Sequence, residues 1–346
     1  MIKTYKYIKT PHTKLHEFVM AFFNRIEFET GVFDNSFYDK EFYNVLVSHH
    51  IKILGKRFKD IYAITKTWSQ SNRTKLCLAI RNSNEIKNAC AGTIKPFKSS
   101  AIPASLVPLL QDLFISLYED VIKGKFFIAK YGSLKEHYHT IRKDKANDFE
   151  FCPACGIVEM KNSEDKKKDQ HDHYFPKDIY PFSSVNFENL VPICIDCNSI
   201  EVKTNKDILK YSGLVFYPFD EKHKGIDIEV SIKKNNFNDL SKIQWHILYS
   251  NKDAKDGELQ AWKDVYNIED RHLTHVIGNI SSWYGFFDKT ITDKDIISEI
   301  PEYEKRKKSY LNQLKNRKVL EYKAMTVLID SFDKSARVEA RRYSRF

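Results

Sequence analysis

Two Cys-x-x-Cys pairs, Cys152/Cys155 and Cys194/Cys197, bracket an Asp172-His173 dipeptide; Asn189 precedes the second pair and Asn198 directly follows its last cysteine. A C-P-x-C-G knuckle sets two thiolates at one apex of a metal tetrahedron, and a second Cys-x-x-Cys completes a four-sulfur site. The bland alternative is four free buried thiols. Four sulfurs fill the coordination sphere of zinc and leave no open position, so a metal held here is structural. The chemistry then falls to the residues between the knuckles.

Those residues carry a resemblance. The Asp-His-x-x-Pro step at Asp172, the Asn-Leu-Val-Pro step at Asn189 and the Cys-x-x-Cys-Asn-x-x-x-x-Lys ending from Cys194 to Lys203 resemble an HNH endonuclease with a ββα-metal core. Within it, the match is to the zinc-stapled Asp-His-Asn branch found in phage recombination endonucleases and bacterial defence nucleases. It covers about a sixth of the chain. The resemblance implies a hydrolase that cuts DNA phosphodiester bonds, with RNA as the alternative substrate. A nuclease needs a base to activate water and a cation to neutralise the phosphorane. His173 would be the base, because imidazole titrates near working pH. Asp172 and Asn198 would present hard oxygen ligands to one Mg²⁺ or Mn²⁺ ion, and Asn189 would fix the His173 ring from the returning strand. Products would carry 5′-phosphate and 3′-hydroxyl ends. Neighbours on a strand point to opposite faces, so Asp172 and His173 require a strand end or bulge. The peptide CIDCNSIEVK should begin a helix, with Asn198 in its first turn and Lys203 further along it.

Each residue has a second reading. His173 alone is a structural or surface histidine, and Asn198 is a helix cap. His171 is a third ligand, a phosphate contact or a solvated loop residue, the last being expected. Lys203 is a backbone contact or a solvated helix charge. A looser likeness lies in the boxes YGSLKEHYHTIRK, SGLVFYPFD and AWKDVYNIEDR, which resemble HNH proteins that include the nuclease subunit of Septu-type anti-phage systems. Such subunits work beside an ATPase partner. The chain itself shows no Walker-type phosphate loop and no serine-based triad motif.

The elements that must position these residues suggest an α+β protein in three parts: a mostly helical region over 1–145, the ββα-metal core over 146–210 and an α+β region over 211–346. At 42% hydrophobic, the chain can bury a sizeable core, and its formal charge of +10 suits a polyanion partner. No apolar run approaches the ~20 residues of a membrane span, and the start MIKTYKYIKTPHTK has no apolar signal core, so a cytoplasmic protein is expected. Few cysteines outside the knuckles, Cys77 and Cys90, fit a reducing compartment.

Leu15, Phe18, Val19, Phe22, Phe23 and Ile26 repeat at helical spacing. A second helix is expected from about Asp39 to Thr65, and a third from Pro108, through a stripe of Leu110, Leu113, Phe114, Leu117, Tyr118 and Val121, to Gly124. Between Lys66 and Pro103 the periodicity fails, which leaves a basic loop with Arg73, Lys75, Arg81, Lys87 and Lys95, either solvated or facing DNA. The spacer KNSEDKKKDQ should be a surface loop. GLVFYPFD, GIDIEVSIKK and IQWHILYS read as strands. ELQAWKDVYNIEDRHLTHVIGNISSWYGFF returns to helix, packed through Trp262, Val265, Tyr266 and Ile268. A final helix or helix pair, from about Ile291 to Phe332, carries Lys305, Arg306, Lys307, Lys308, Lys315, Arg317 and Lys318, with Arg341, Arg342 and Arg345 at the tail. That cluster is a solvated face or a nucleic-acid contact. The competing functional class is a zinc-stapled module that binds nucleic acid, or waits for a partner, without cutting on its own.

Overall fold

In the computed structural model the chain is described over residues 1–98, 100, 103–211, 213–251, 255–290, 300–315 and 317–343. It is an α+β protein with a helical N-terminal region and, among the described residues, two small antiparallel sheets of two strands each. The first helix, Lys14–Ile26, buries all six of its apolar stripe residues. The expected second helix does start on Asp39, whose carboxylate accepts from the Glu41 and Phe42 amides. It is not continuous. Two wider π turns, Tyr43–Val47 and Ile51–Gly55, flank a break at His50, where ψ swings to 35°, and a regular α-helix resumes only at Lys56–Thr65.

The stretch expected to be a basic loop is mostly helix, Gln70–Asn84 and Ile86–Cys90. Its buried stripe is Arg73, Leu76, Cys77, Ile80 and Ser83, so two polar residues occupy core-facing positions and hide the apolar period. Arg73 is satisfied by the Glu27 and Trp68 carbonyls and the Gln70 side chain, and Arg81 pairs with Glu27 at 2.7 Å. Both are committed to partners within the chain. Lys75, Lys87 and Lys95 remain exposed. The helix Val107–Ser116, entered through Pro108, continues into a π turn at Leu117–Val121 before Gly124.

Strands β1 (Gln170–His173) and β2 (Leu190–Ile193) pair with Asp172 opposite Val191 and His173 opposite Leu190. Between them runs a loop through Pro176 and Pro181 with short 3₁₀ turns at Pro181–Ser183 and Phe187–Asn189. The hairpin lies between two cores. Leu190, with Phe182, Val185 and Phe187, joins the core of the helical region. Val191 and Ile193 face a second core, built from the knuckles, Tyr138, Ile141, Phe216, Trp262 and Tyr266. Adjacent residues of one strand therefore serve different cores, as the two-residue period requires.

GLVFYPFD is not a strand. It makes one backbone bond to Cys90 and accepts one from Tyr5, while Val215, Phe216 and Phe219 insert into the second core. Strands β3 (Asp227–Lys234) and β4 (Gln244–Ser250) form as expected, with Ile228, Val230 and Trp245 buried. They pack under helices Ile268–Thr290, Ile300–Lys315 and Val319–Tyr343 in a third core. Trp262, Val265, Tyr266 and Ile268 are buried, and the chain turns between its helices at Asn267, whose φ is 50°. The final helix pair is present, although 291–299 lie outside the described residues. Among the described residues no helix is long and apolar enough to cross a membrane.

The basic cluster on that pair is largely neutralised. Lys307 bridges Asp330 and Asp333 on the facing helix at 2.8 and 2.7 Å, Arg317 pairs with Glu150, and Lys318 with Glu321. Lys305 and Arg306 both lie beside Glu302. Lys307 thus stitches two helices together, while Lys308 and Lys315 stay exposed with no ion pair among the described residues. The tail residues Arg341, Arg342 and Arg345 lie outside the described side chains.

Candidate metal centre and candidate active site

The four cysteines of the two knuckles converge, with all four sulfurs within 4.8 Å of one another and every residue buried. The Cys152–Cys197 and Cys155–Cys194 sulfur separations are both 4.0 Å. A tetrahedron with legs of about 2.3 Å has edges of about 3.8 Å, so the set fits zinc closely. Among the described residues it is the sole cluster of three or more histidine, cysteine or carboxylate side chains able to hold a metal ion. The first knuckle closes because Gly156 takes φ 68° and donates to the Cys152 carbonyl at 2.7 Å, a conformation a side chain would strain. Backbone amides of Cys194 and Cys197 point at the sulfurs of Cys152 and Cys194, 3.4 Å away in each case. Hydrogen bonds from the other thiols hold the Cys155 thiol well below its ordinary range, whereas burial pushes Cys152 and Cys197 up. For all four sulfurs to ionise in this burial, a bound cation would have to supply the compensating charge.

The C-terminal region supports this centre. Arg271 donates to the Cys197 sulfur at 3.3 Å, His272 bonds the Cys155 carbonyl at 2.8 Å, and the Trp262 indole donates to the Ala154 carbonyl at 2.7 Å. Arg271 partly offsets the negative charge of a four-thiolate set.

His173 ends β1, and its ring leaves the face opposite to Asp172. The ring packs edge-on against Tyr118, with centroids 4.4 Å apart, and its Nε2 lies 2.9 Å from the Ser184 carbonyl. A carbonyl only accepts, so Nε2 carries the proton and Nδ1 presents a lone pair. Ser184 is itself fixed, its hydroxyl donating to the Phe114 carbonyl at 2.8 Å. Burial pushes the His173 imidazole down to about 3, helped by Lys177 and Lys203 and opposed by the Ser184 bond and Glu119. The ring is therefore neutral at physiological pH, as a base requires, but it is a weaker base than the near-neutral imidazole the sequence suggests.

Asn189 does not touch that ring. Its amide clamps the connecting loop, accepting from the Phe175 amide at 2.7 Å and donating to the Phe175 carbonyl at 3.0 Å and to Ser183 at 3.2 Å. It acts on His173 only by setting the loop that carries the Ser184 carbonyl. The reason is placement: Asn189 closes a 3₁₀ turn before β2 and is wholly buried there.

Lys203 is neither a solvated charge nor exposed to a ligand. It is fully buried, pairs with Asp172 Oδ1 at 2.8 Å and donates to the His173 carbonyl at 2.8 Å. Burial pushes the Asp172 carboxyl up and the Lys203 ammonium down, and their pairing opposes both shifts. Asp172 Oδ2 is buried with no hydrogen-bond partner, a hard oxygen donor left over for a cation. The helix expected from Cys194 is absent. The chain from Ile195 to Asn205 is a run of turns, in which the Asn198 carbonyl is taken by the Thr204 hydroxyl at 2.7 Å. The half-buried Asn198 side chain makes no hydrogen bond among the described residues, which leaves its amide oxygen free to coordinate.

His171 is not a solvated loop residue. It is buried on β1 against His137, with ring nitrogens 3.0 Å apart. His137 belongs to the helix Leu134–Lys143, begun by a Ser133–Glu136 capping box. The same helix supplies Arg142, whose guanidinium binds the Asn147 and Phe149 carbonyls beside the first knuckle. The boxes YGSLKEHYHTIRK, SGLVFYPFD and AWKDVYNIEDR therefore converge on the centre. Tyr118, Glu119, Lys123 and Lys177 gather near His173 without a shared motif, and no sequence signal singles them out.

The Lys203–Asp172 pair yields a stability prediction. Lys203→Met should destabilise the protein by about 3–5 kcal/mol, because a buried carboxylate loses its counter-charge. Urea unfolding checks it, and a loss under 1 kcal/mol would mean that the pair is not buried as described.

Comparison with protein-family models, with curated proteins and with solved structures finds no match to the chain.

Proposed function

We propose that this chain is a metal-dependent HNH-type endonuclease that hydrolyses DNA phosphodiester bonds, acting in the bacterial cytoplasm in anti-phage defence. The observation that supports it most is the state of His173. Its Nε2 is committed to the Ser184 carbonyl, so a neutral Nδ1 is left to accept a proton. In the reaction, His173 Nδ1 takes a proton from the attacking water, while Tyr118 and Ser184 keep the ring from rotating. Asp172 Oδ2 and the Asn198 amide oxygen would hold a divalent cation, Mg²⁺ or Mn²⁺, being hard donors with no other hydrogen-bond partner among the described residues. That cation, when bound, supplies positive charge to the phosphate and the leaving 3′ oxygen. Lys203 holds the Asp172 carboxylate in place, and the four-cysteine centre fixes both ends of the hairpin. Zinc there is structural.

The test is the chemistry of the cut ends. Products that a DNA ligase reseals without prior kinase or phosphatase treatment are expected, since water attack with a 3′ leaving oxygen gives 5′-phosphate and 3′-hydroxyl ends. Ends carrying 3′-phosphate would contradict the mechanism.

One observation favours a second reading. The Lys203 ammonium already sits on Asp172 Oδ1, so a positive charge meets the carboxylate before any metal arrives. A subunit that binds nucleic acid and cuts only when a partner such as an ATPase rearranges this pair would show that geometry.

A further inference from the structure

The π turn Leu117–Val121 lies over His173 and brings three charged side chains together there. Glu119 projects from it and is bridged on both carboxylate oxygens, Oε1 by Lys177 from the loop after β1 and Oε2 by Lys123 from the end of the turn. Both ammonium groups sit over the Tyr118 ring, 5.1 Å from its centroid for Lys123 and 5.4 Å for Lys177. His173 packs against the same ring, the two planes close to perpendicular. One aromatic side chain is therefore in contact with both cations and with the candidate base. All three charged groups reach solvent, with 38% of the Glu119 side chain, 48% of Lys123 and 25% of Lys177 exposed. Exposed pairs of this kind are weak and exchange readily.

A cavity of about 340 Å³ adjoins the cluster. Lys123, Lys135 and Lys168 line it with Tyr118 and His171, and no carboxylate does. The cavity wall thus carries three lysines and no carboxylate, beside the Glu119 carboxylate that Lys123 and Lys177 hold. Two lysines gripping the two oxygens of one anionic group form the arrangement that grips the two non-bridging oxygens of a phosphodiester, which carry the same single charge. A π turn, which widens a helix by one residue, often marks such a functional position.

We propose that Lys123 and Lys177 are the phosphate-gripping cations of this site, and that Glu119 holds between them the place that a DNA backbone phosphate takes. The assignment rests on the nuclease reading of His173 and deepens it. The helical region then completes the site, and Glu119 acts as an internal competitor that DNA must displace.

The test is DNA binding by the zinc-loaded full chain, followed by fluorescence anisotropy on a short labelled duplex in magnesium-free buffer over a range of salt. Glu119→Gln is expected to bind on the order of fivefold more tightly, since the competing charge is gone. Lys123→Ala/Lys177→Ala is expected to bind at least tenfold more weakly and to lower the slope of log K against log salt by about 1.8, the release of two counterions. Lys233→Ala/Lys234→Ala, exposed on β3, should leave the slope unchanged. Affinities and slopes equal to the parent's in both site variants would overturn the proposal. Plasmid cleavage in Mg²⁺ separates it from the reading beneath it. Cleavage by the parent with unchanged binding in the variants sinks the clamp alone. The expected binding shifts with no cleavage support the clamp and sink the nuclease reading. A parent that binds no DNA overturns both.

Discussion

Cys194→Ser should lose its metal and unfold the core around the hairpin. Each of the four sulfurs belongs to one buried cluster, and three thiolates with a hydroxyl are a poorer zinc site. Structural zinc contributes ~10 kcal/mol or more of apparent binding energy in small zinc domains, which exceeds the net stability of most proteins. The loss should spread beyond the knuckle, because Trp262 and His272 bond to carbonyls of the first knuckle and Val191 and Ile193 pack in the same core. Elemental analysis beside circular dichroism checks this. Stoichiometric zinc in the parent, its absence in the variant and a broad loss of cooperative unfolding are expected. Full zinc retention in Cys194→Ser would remove that cysteine from the metal set.

His173→Ala should separate chemistry from scaffold. Its ring makes one hydrogen bond and one aromatic contact, so deleting it should cost about 1–2 kcal/mol of stability and no zinc. Cleavage should fall by ~10²-fold or more, the scale of a lost general base, equivalent to about 2.7 kcal/mol in the barrier. Asp172 needs a gentler probe. Asp172→Ala would strand the buried Lys203 ammonium with neither acceptor nor counter-charge, whereas Asp172→Asn keeps an oxygen to accept from Lys203 and loses the counter-charge alone, at a smaller cost in stability. Asp172→Asn should fold, hold zinc and still fail to cut. Kinetics on both variants, beside their unfolding curves, carry the check. A His173→Ala protein that cuts at the parent rate would mean that the base is another group.

What was legible in the sequence follows from what spacing encodes. The two knuckles were readable because metal ligation ties cysteines to fixed intervals, and the first helix because six apolar residues repeat without interruption. The Gln70–Asn84 helix was hidden by Arg73 and Ser83 on its buried stripe, where local hydrogen bonds replace apolar contacts. Lys203 carried no sign of burial, since its partner Asp172 lies 31 residues earlier and meets it only once the hairpin closes. Asn189, expected on the returning strand with its amide on the His173 ring, closes the turn before that strand, where a short amide reaches Phe175 and Ser183 instead of the imidazole. Tyr118 reads as helix-packing core, and it is buried as such, yet its ring also packs against His173. The strand expected at GLVFYPFD failed because three aromatic or branched residues seek the second core while few backbone groups find a ladder partner.

The measurement that tests the central claim most directly is incubation of the purified, zinc-loaded protein with supercoiled plasmid, in Mg²⁺ and in Mn²⁺, beside parallel reactions with EDTA and with the His173→Ala protein. Nicked or linear products that need the divalent cation, stop with EDTA and are lost in His173→Ala are the predicted result. Plasmid left intact by a folded protein that holds its zinc, in both metals and over the range of salt in which it binds DNA, would contradict an endonuclease that acts on its own.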